Sequence, residues 1–222
     1  MQSRTIAVTT HGRYLIEAPP GPEPHPLLVG FHGYAENAER HLDALGRLPG
    51  SSAWVRVAVQ GLHRFYDRRN ERVLAGWMTR QDRELAIADN IDYVRRTVEA
   101  IRAEGAGRGP LVYAGFSQGV AMAYRAAAFA GHACVGLIAL GGDVPPDLDA
   151  AALAALPPVL LGRGRADTWY SAAKMEEDLT RLRAQRVAVE PVVFDGGHEW
   201  TGPFLDAAGR FLTRVHQTAA SA

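Results

Sequence analysis

Short apolar runs alternate with helical stretches along most of this chain, and that alternation restricts its fold more than any other feature. "LLVGFHG", "AWVRVAVQG", "LVYAG", "ACVGLIALGG", "PPVLLGRG" and "VAVEPVVFDGG" each read as a strand. The run "LLVGFHG" is continuously apolar at its start, as expected of a strand buried on both faces. Between the strands, "NAERHLDALGRLPG" opens on a capping Asn37 and stops at Pro49-Gly50, and "QGVAMAYRAAAFAG" closes at Gly131. Ile87, Ile91, Val94, Val98 and Ile101 step by four and three, an apolar stripe along one long helix with Asp82 as its expected N-cap. "SAAKMEEDLTRLRAQR" is amphipathic, and "WTGPFLDAAGRFLTRVHQ" contains a last helix. The pattern predicts an α/β fold: a mostly parallel sheet with helices on both faces. Ahead of it, "RTIAVTT" and "RYLIEAP", separated by His11-Gly12, predict an N-terminal antiparallel hairpin. Gly61 to Arg80 fits neither period and is expected to be a long loop.

Bulk properties narrow the function classes. The 222 residues suit one domain over 1–222, and 47% hydrophobic content can fill a core. The 24 basic and 24 acidic residues cancel, which removes any composition argument for nucleic acid or for an anionic membrane surface. Lys174 is the only lysine. Cys134 stands alone in an apolar run, so an intramolecular disulfide and a cysteine-rich metal site are excluded and a core role is expected. The first residues lack the apolar stretch of a secretory signal, and no run approaches the roughly 20 apolar residues of a membrane span. A cytoplasmic protein without integral membrane segments is the expectation, as monomer or homodimer.

The chemistry gathers around "GFSQG". Ser117 lies between a predicted strand and a predicted helix, the context that gives G-x-S-x-G its meaning. Glycines at 115 and 119 permit a sharp, strained turn, and the helix aims its N-terminal amides at the same point. A serine hydroxyl needs a base, and the base needs an orienting acid. His198, in "FDGGHEW", follows the last predicted strand. Two acids follow strands at the same edge, Asp167 in "RGRADTW" and Asp143 after "GLIALGG". Either keeps the chain order Ser, Asp, His. Donors for an oxyanion are expected from the backbone N–H of Gln118 and, in "GFHGYAEN", from that of Tyr34.

Taken together, "FHGYAEN", "GFSQG", "GRGRADTWY" and "GGHEW" resemble the carboxylesterase/phospholipase family of α/β-hydrolases, which includes the acyl-protein thioesterases. The resemblance runs from Phe31 to Trp200. It implies the α/β-hydrolase fold and a triad of Ser117, Asp167 and His198, and it sets Asp167 over Asp143. It also implies oxyanion donors at Tyr34 and Gln118. The chain departs from the family pattern at Ala35, where a second glycine is usual, at Val120, and at Arg163, where a histidine opens the acid motif. "TWYSAAK" replaces the Val-Pro that often follows the acid.

Phe65, Tyr66, Trp77, Trp169 and Trp200 flank these motifs or the long loop and are read as candidates for an apolar substrate pocket, while Trp54 is assigned to the core. Arg64, Arg68, Arg69 and Arg72 are expected on a solvated loop. The expected activity is hydrolysis of a small-molecule ester or thioester through an acyl-enzyme, with no metal and no cofactor. An amidase on the same triad and a non-catalytic binding module are the alternatives.

Overall fold

The structure, a computed structural model, describes residues 1–69 and 71–221. In chain order the first half holds β1 (Arg13–Glu17), β2 (Leu27–Phe31), α1 (Ala38–Gly46), β3 (Val55–Gln60), β4 (His63–Tyr66), β5 (Val73–Gly76), α2 (Arg83–Ala103) and β6 (Leu111–Phe116). The second half holds α3 (Gln118–Phe129), β7 (Gly136–Leu140), α4 (Ala150–Ala154), β8 (Val159–Gly164), α5 (Ala172–Ala184), β9 (Val189–Phe194) and α6 (Gly202–Ala220). One sheet runs in the order β1-β3-β2-β6-β7-β8-β9. Only β1 is antiparallel to its neighbour within that sheet. This is the α/β-hydrolase architecture.

Residues alternate between the two faces of the sheet. Leu28, Val112, Ala114, Ile138 and Leu160 cluster with Leu45 of α1 and with Phe204, Phe211 and Leu212 of α6. Their neighbours Leu27, Val29, Tyr113, Leu137 and Leu161 cluster with α2, α3 and α5 through Val94, Val98, Met122 and Leu182. The strand order reverses between β2 and β6: the chain leaves β2 toward β3 on one side and resumes at β6 on the other. Helices α1 and α3, which follow those two strands, therefore go to opposite faces, and a crevice opens between them at the carboxyl edge.

Three local expectations need correction. Residues 4–10 form no strand. Five residues of β1 pair with β3 instead, from Arg13↔Gln60 to Glu17↔Arg56. Gly12 packs on α2 so closely that an added Cβ would run into the ring of Tyr93. Tyr93 Oη also donates to the Arg13 carbonyl at 2.6 Å, and Arg64 donates to the His11 carbonyl at 2.7 Å. These contacts carry the chain over α2 rather than back along β1. The segment Gly61–Arg80 is no plain loop either, because β4 and β5 form an antiparallel hairpin in it. All of β4 is exposed, so no apolar alternation marked it as strand. Asp82 does precede α2, but its left-handed backbone (φ 47°) does not present the carboxylate to the helix amides, and it makes no side-chain cap. Asn37 does cap, accepting from Arg40 N at 3.0 Å.

Arg125 of α3 is fully buried and binds Asp147 through both carboxylate oxygens, at 2.8 and 2.5 Å. This fastens the chain between β7 and α4 to the helix that follows Ser117. Removing the acid alone strands a guanidinium in the core, which costs far more than the pair contributes net. Asp147→Ala should destabilise the fold by about 3 kcal/mol, read as a lowered urea midpoint with an unchanged slope. A midpoint within error of wild type would show that Arg125 finds solvent or another acceptor.

Candidate active site

Ser117, Asp143, Asp167 and His198 follow β6, β7, β8 and β9, parallel strands, and so all lie at one edge of the sheet; Tyr34, after β2, joins them. Ser117 follows directly on β6, beside the crevice. Its backbone takes φ 53°, ψ −121°, a conformation that costs a non-glycine residue on the order of 1–3 kcal/mol. Two bonds hold it there: Ser117 N–H donates to the Leu140 carbonyl at 2.9 Å, and Val120 N–H donates to the Ser117 carbonyl at 3.0 Å. Each contributes about 1 kcal/mol net, so together they offset much of the strain. Close approach does the rest. A Cβ at Gly119 would run into the Phe31 carbonyl of β2, and one at Gly115 would stand 2.5 Å from the Gly119 carbonyl oxygen. The turn is sharp because both positions lack side chains.

Asp167 is 5% exposed, and its carboxylate is fully committed. Oδ1 accepts the N–H groups of Trp169 at 2.8 Å and Tyr170 at 2.9 Å, while Oδ2 lies 2.8 Å from Nδ1 of His198. A carboxylate only accepts, so the proton of that last bond sits on Nδ1, and Nε2 of His198 carries the free lone pair. The His198 ring packs on Phe116, the residue before Ser117, with centroids 4.9 Å apart. Gly141, after β7, fits against the pair: a Cβ there would meet His198 Cε1 at 3.0 Å and Asp167 Oδ2 at 3.3 Å. Asp143 goes elsewhere, to an exposed ion pair with Lys174 at 3.3 Å.

The chain after β2 curls tightly beneath Ser117. Gly33 N–H donates to Glu36 Oε2 at 2.8 Å, and a Cβ on Gly33 would lie 3.2 Å from Cβ of Ser117. Ala35, which stands where the family has its second glycine, adopts φ 59°, the left-handed backbone that glycine takes without cost. The β4–β5 hairpin is stitched to this turn: Ala35 N–H donates to the Ala75 carbonyl at 3.0 Å and Ala75 N–H to the Glu36 carbonyl at 2.8 Å. Gln118 adds a second tie. Its side chain accepts from Trp77 N–H at 2.8 Å and donates to the Met78 carbonyl at 3.1 Å.

Trp77 is therefore no pocket residue, and that expectation is corrected. It is fully buried, its Nε1 donates to the His32 carbonyl at 2.8 Å, and its ring packs on those of His32 and Phe31. His32 is buried too, which lowers its pKa; Nε2 accepts from Gly61 N–H at 3.0 Å, so the ring is neutral with its proton on Nδ1. Phe65 and Tyr66 lie exposed on the hairpin, Phe65 against the Tyr34 ring, and neither lines the openings beside Ser117 and His198. Trp169, 75% exposed, does line a cleft of about 260 Å³ that contains Ser117, Gln118, Gly142, Pro145 and Lys174. Trp200 lines a second cleft, about 350 Å³, with His198, Phe116, Arg40 and Arg47. A larger cleft, about 440 Å³, lies between residues 8–12 and α2 and holds none of these groups. Sequence reasoning missed the supporting residues Glu36, Asn90, Tyr170 and Asp178. Glu36 and Tyr170 stood within quoted motifs, in "FHGYAEN" and "GRGRADTWY", but nothing in a linear pattern reports which side chains point inward. Cys134 is partly buried against the core, and burial pushes its thiol up to about 12, which leaves it inert.

Two glycine–alanine exchanges should separate these backbone demands. Gly119→Ala forces β2 and α3 apart and should cost about 3 kcal/mol. Ala35→Gly should raise stability by up to about 1 kcal/mol, because relief of the left-handed backbone outweighs the added freedom of the unfolded chain. Thermal or urea unfolding reads both, and an Ala35→Gly protein clearly weaker than wild type would refute the strain at that turn.

The sequence pattern of the phospholipase/carboxylesterase family matches residues 73–216, more than half of the chain. A search of curated proteins by sequence finds no match. Among solved structures, esterase PE8 superimposes with a TM-score of 0.70 at 23% identity, over 93% of this chain and 100% of that one. A phospholipase/carboxylesterase from Dyadobacter fermentans gives 0.69 at 20% identity, over 93% of this chain and 99% of that one. The Bacillus cereus carboxylesterase gives 0.70 at 18% identity, over 92% of this chain and 94% of that one. These neighbours share the fold. The family match and the hydrolase fold agree, and the chain belongs to the phospholipase/carboxylesterase family as a carboxylesterase-type hydrolase.

Proposed function

We propose that the chain hydrolyses carboxylic esters of small or medium acyl groups, and thioesters of the same size, with Ser117 as nucleophile, His198 as base and Asp167 as orienting acid. The observation that carries this reading is the 2.8 Å bond from His198 Nδ1 to Asp167, made beside a serine on a strained strand-to-helix turn. With Nδ1 protonated, Nε2 takes the Ser117 proton as Oγ attacks the ester carbonyl carbon. The C=O π electrons move onto oxygen, and the backbone N–H groups of Tyr34 and Gln118 donate to that oxyanion. Collapse breaks the bond to the leaving oxygen or sulfur, which takes the proton from Nε2. Water then attacks the acyl-enzyme, passes a proton to Nε2, and releases the acid and free Ser117.

The acyl size follows from the cleft beside Ser117. About 260 Å³, walled by Gly142, Pro145 and Trp169, suits a short or medium chain and is small beside a palmitoyl group. Its exposed tryptophan supplies apolar contact, while Lys174 and Arg83 make the rim polar. The same machinery attacks amides, so leaving-group preference is read directly from rates on matched esters and anilides.

Turnover of p-nitrophenyl esters from acetate to palmitate is the test. The wild type should peak at short or medium chains. Ser117→Ala should lose roughly 10⁴-fold or more in kcat while keeping its fold, and Asp167→Asn about 10⁴-fold. Asp143→Asn should stay within about 3-fold, since an exposed ion pair contributes little. Full activity in Ser117→Ala, or the large loss falling on Asp143→Asn, would overturn the assignment.

A further inference from the structure

Helix α5 touches the cleft beside Ser117 through Lys174 at its rim, and one face of the helix grips both loops that shape the cleft. At the rim, Lys174 Nζ donates to Asp143 Oδ2 at 3.3 Å and to the Trp169 carbonyl at 3.0 Å. One turn on, Asp178 makes the same bridge underneath. Its Oδ2 accepts from Val144 N–H at 3.0 Å and from the Tyr170 hydroxyl at 2.9 Å. Arg181, in the next turn, donates to the carbonyls of Val144 and Pro145 at 2.8 and 3.2 Å. Positions 174 and 178 are four apart and so share a helix face. Tyr170 carries the link to the chemistry, since its own N–H donates to Asp167 Oδ1.

Asp178 is 4% exposed and lines none of the three clefts described above. Burial pushes its carboxyl up to about 6; the Val144 N–H, the Tyr170 hydroxyl and Arg181 pull the other way, while Asp143 adds to the rise. Tyr124 of α3 and Tyr170 face it, and Arg181 Nη1 approaches its Oδ1 only to 3.9 Å. A carboxyl held in this setting is costly for stability alone. What it accomplishes is a junction: one oxygen joins the loop after β7 to the loop after β8.

We propose that Asp178 is a positioning residue for the hydrolase site, holding the Asp167–His198 pair through Tyr170 and the Gly141–Asp143 wall of the Ser117 cleft through Val144. The proposal rests on the triad reading above. It separates the two links by what each variant breaks. Tyr170→Phe releases only the acid loop and should lower kcat about 10-fold with KM unchanged, because small misplacements of a reacting group are expensive. Asp178→Leu releases both loops and should lower kcat to the same extent and raise KM as well. The double variant should have the kcat of Asp178→Leu, since both substitutions break one link. Asp178→Asn keeps an acceptor oxygen for both donors and should return kcat and KM to within about 3-fold of wild type.

The experiment is steady-state hydrolysis of p-nitrophenyl acetate and hexanoate by these variants. Alongside it, the proton NMR resonance of His198 Nδ1–H is followed, assigned by its loss in His198→Gln. That resonance should shift in Asp178→Leu and Tyr170→Phe and stay in place in Asp178→Asn. A folded Asp178→Leu with wild-type kcat, KM and resonance overturns the proposal, as does a double variant whose losses multiply. Should Asp178→Leu fail to fold, Tyr170→Phe and Asp178→Asn decide by the same criteria. A wild type that hydrolyses no ester counts against the functional reading alone. The His198 resonance then decides the positioning role without any turnover.

Discussion

At Gly119 the helix that follows Ser117 comes so close to β2 that a single added carbon would collide with the Phe31 carbonyl. That contact sets the distance between two neighbouring strands' exits, and with it the distance between Ser117 and the turn at Gly33–Tyr34. Strand order decides that these exits face each other, because α1 and α3 diverge to opposite sides of the sheet. The strained serine, the curled turn below it and the crevice between them follow from one pairing, β2 beside β6. Local strain persists at Ser117 because the surrounding parallel sheet determines the geometry more strongly than the residue's own preference resists it.

Around this centre the supporting structure is polar and buried, while the bulk of each core is plain aliphatic and aromatic packing. Gln118 and His32 fix Trp77, Asn90 fixes the Trp77 carbonyl at 2.8 Å, and Arg125 fixes Asp147. Each of these bonds joins an element of the sheet-and-helix scaffold to a segment that borders the site. Directional bonds suit that task. Apolar contacts fill volume but tolerate sliding, whereas a two-oxygen ion pair or a double amide bond admits one placement. The β4–β5 hairpin illustrates the result: its outer strand is wet, but its base is bonded to the Glu36 turn and cannot drift from it.

Much of this was legible in the linear sequence. The parallel strands announced themselves because both faces are covered, so their apolar runs are continuous. Ser117 and His198 stood out because strand ends beside glycine are conspicuous, and the structure brings His198 to Asp167 rather than leaving the two carboxylates equivalent. What stayed hidden was whatever depends on neighbours distant in sequence. Residues 4–10 look like a strand, but the chain at Gly12 packs on the ring of Tyr93 instead. Residues 63–66 look like loop because a fully exposed strand needs no apolar alternation. Trp77 looks like a pocket wall because aromatic side chains near a motif invite that reading; only its carbonyl and indole partners reveal a core residue. Asp178 carries no signal at all, being one of three consecutive acids in an amphipathic stretch.

Lys174 governs how the protein can be labelled or immobilised through its side-chain amines. It is the single lysine among 222 residues, and its ammonium sits half exposed at the rim of the opening that contains Ser117. Most proteins scatter their side-chain amines over the whole surface, so amine-directed reagents decorate them at random. Here, every side-chain amine coupling converges on one spot. A dye attached to that side chain would report on the cleft, and a resin attached to it would hold the cleft against the support.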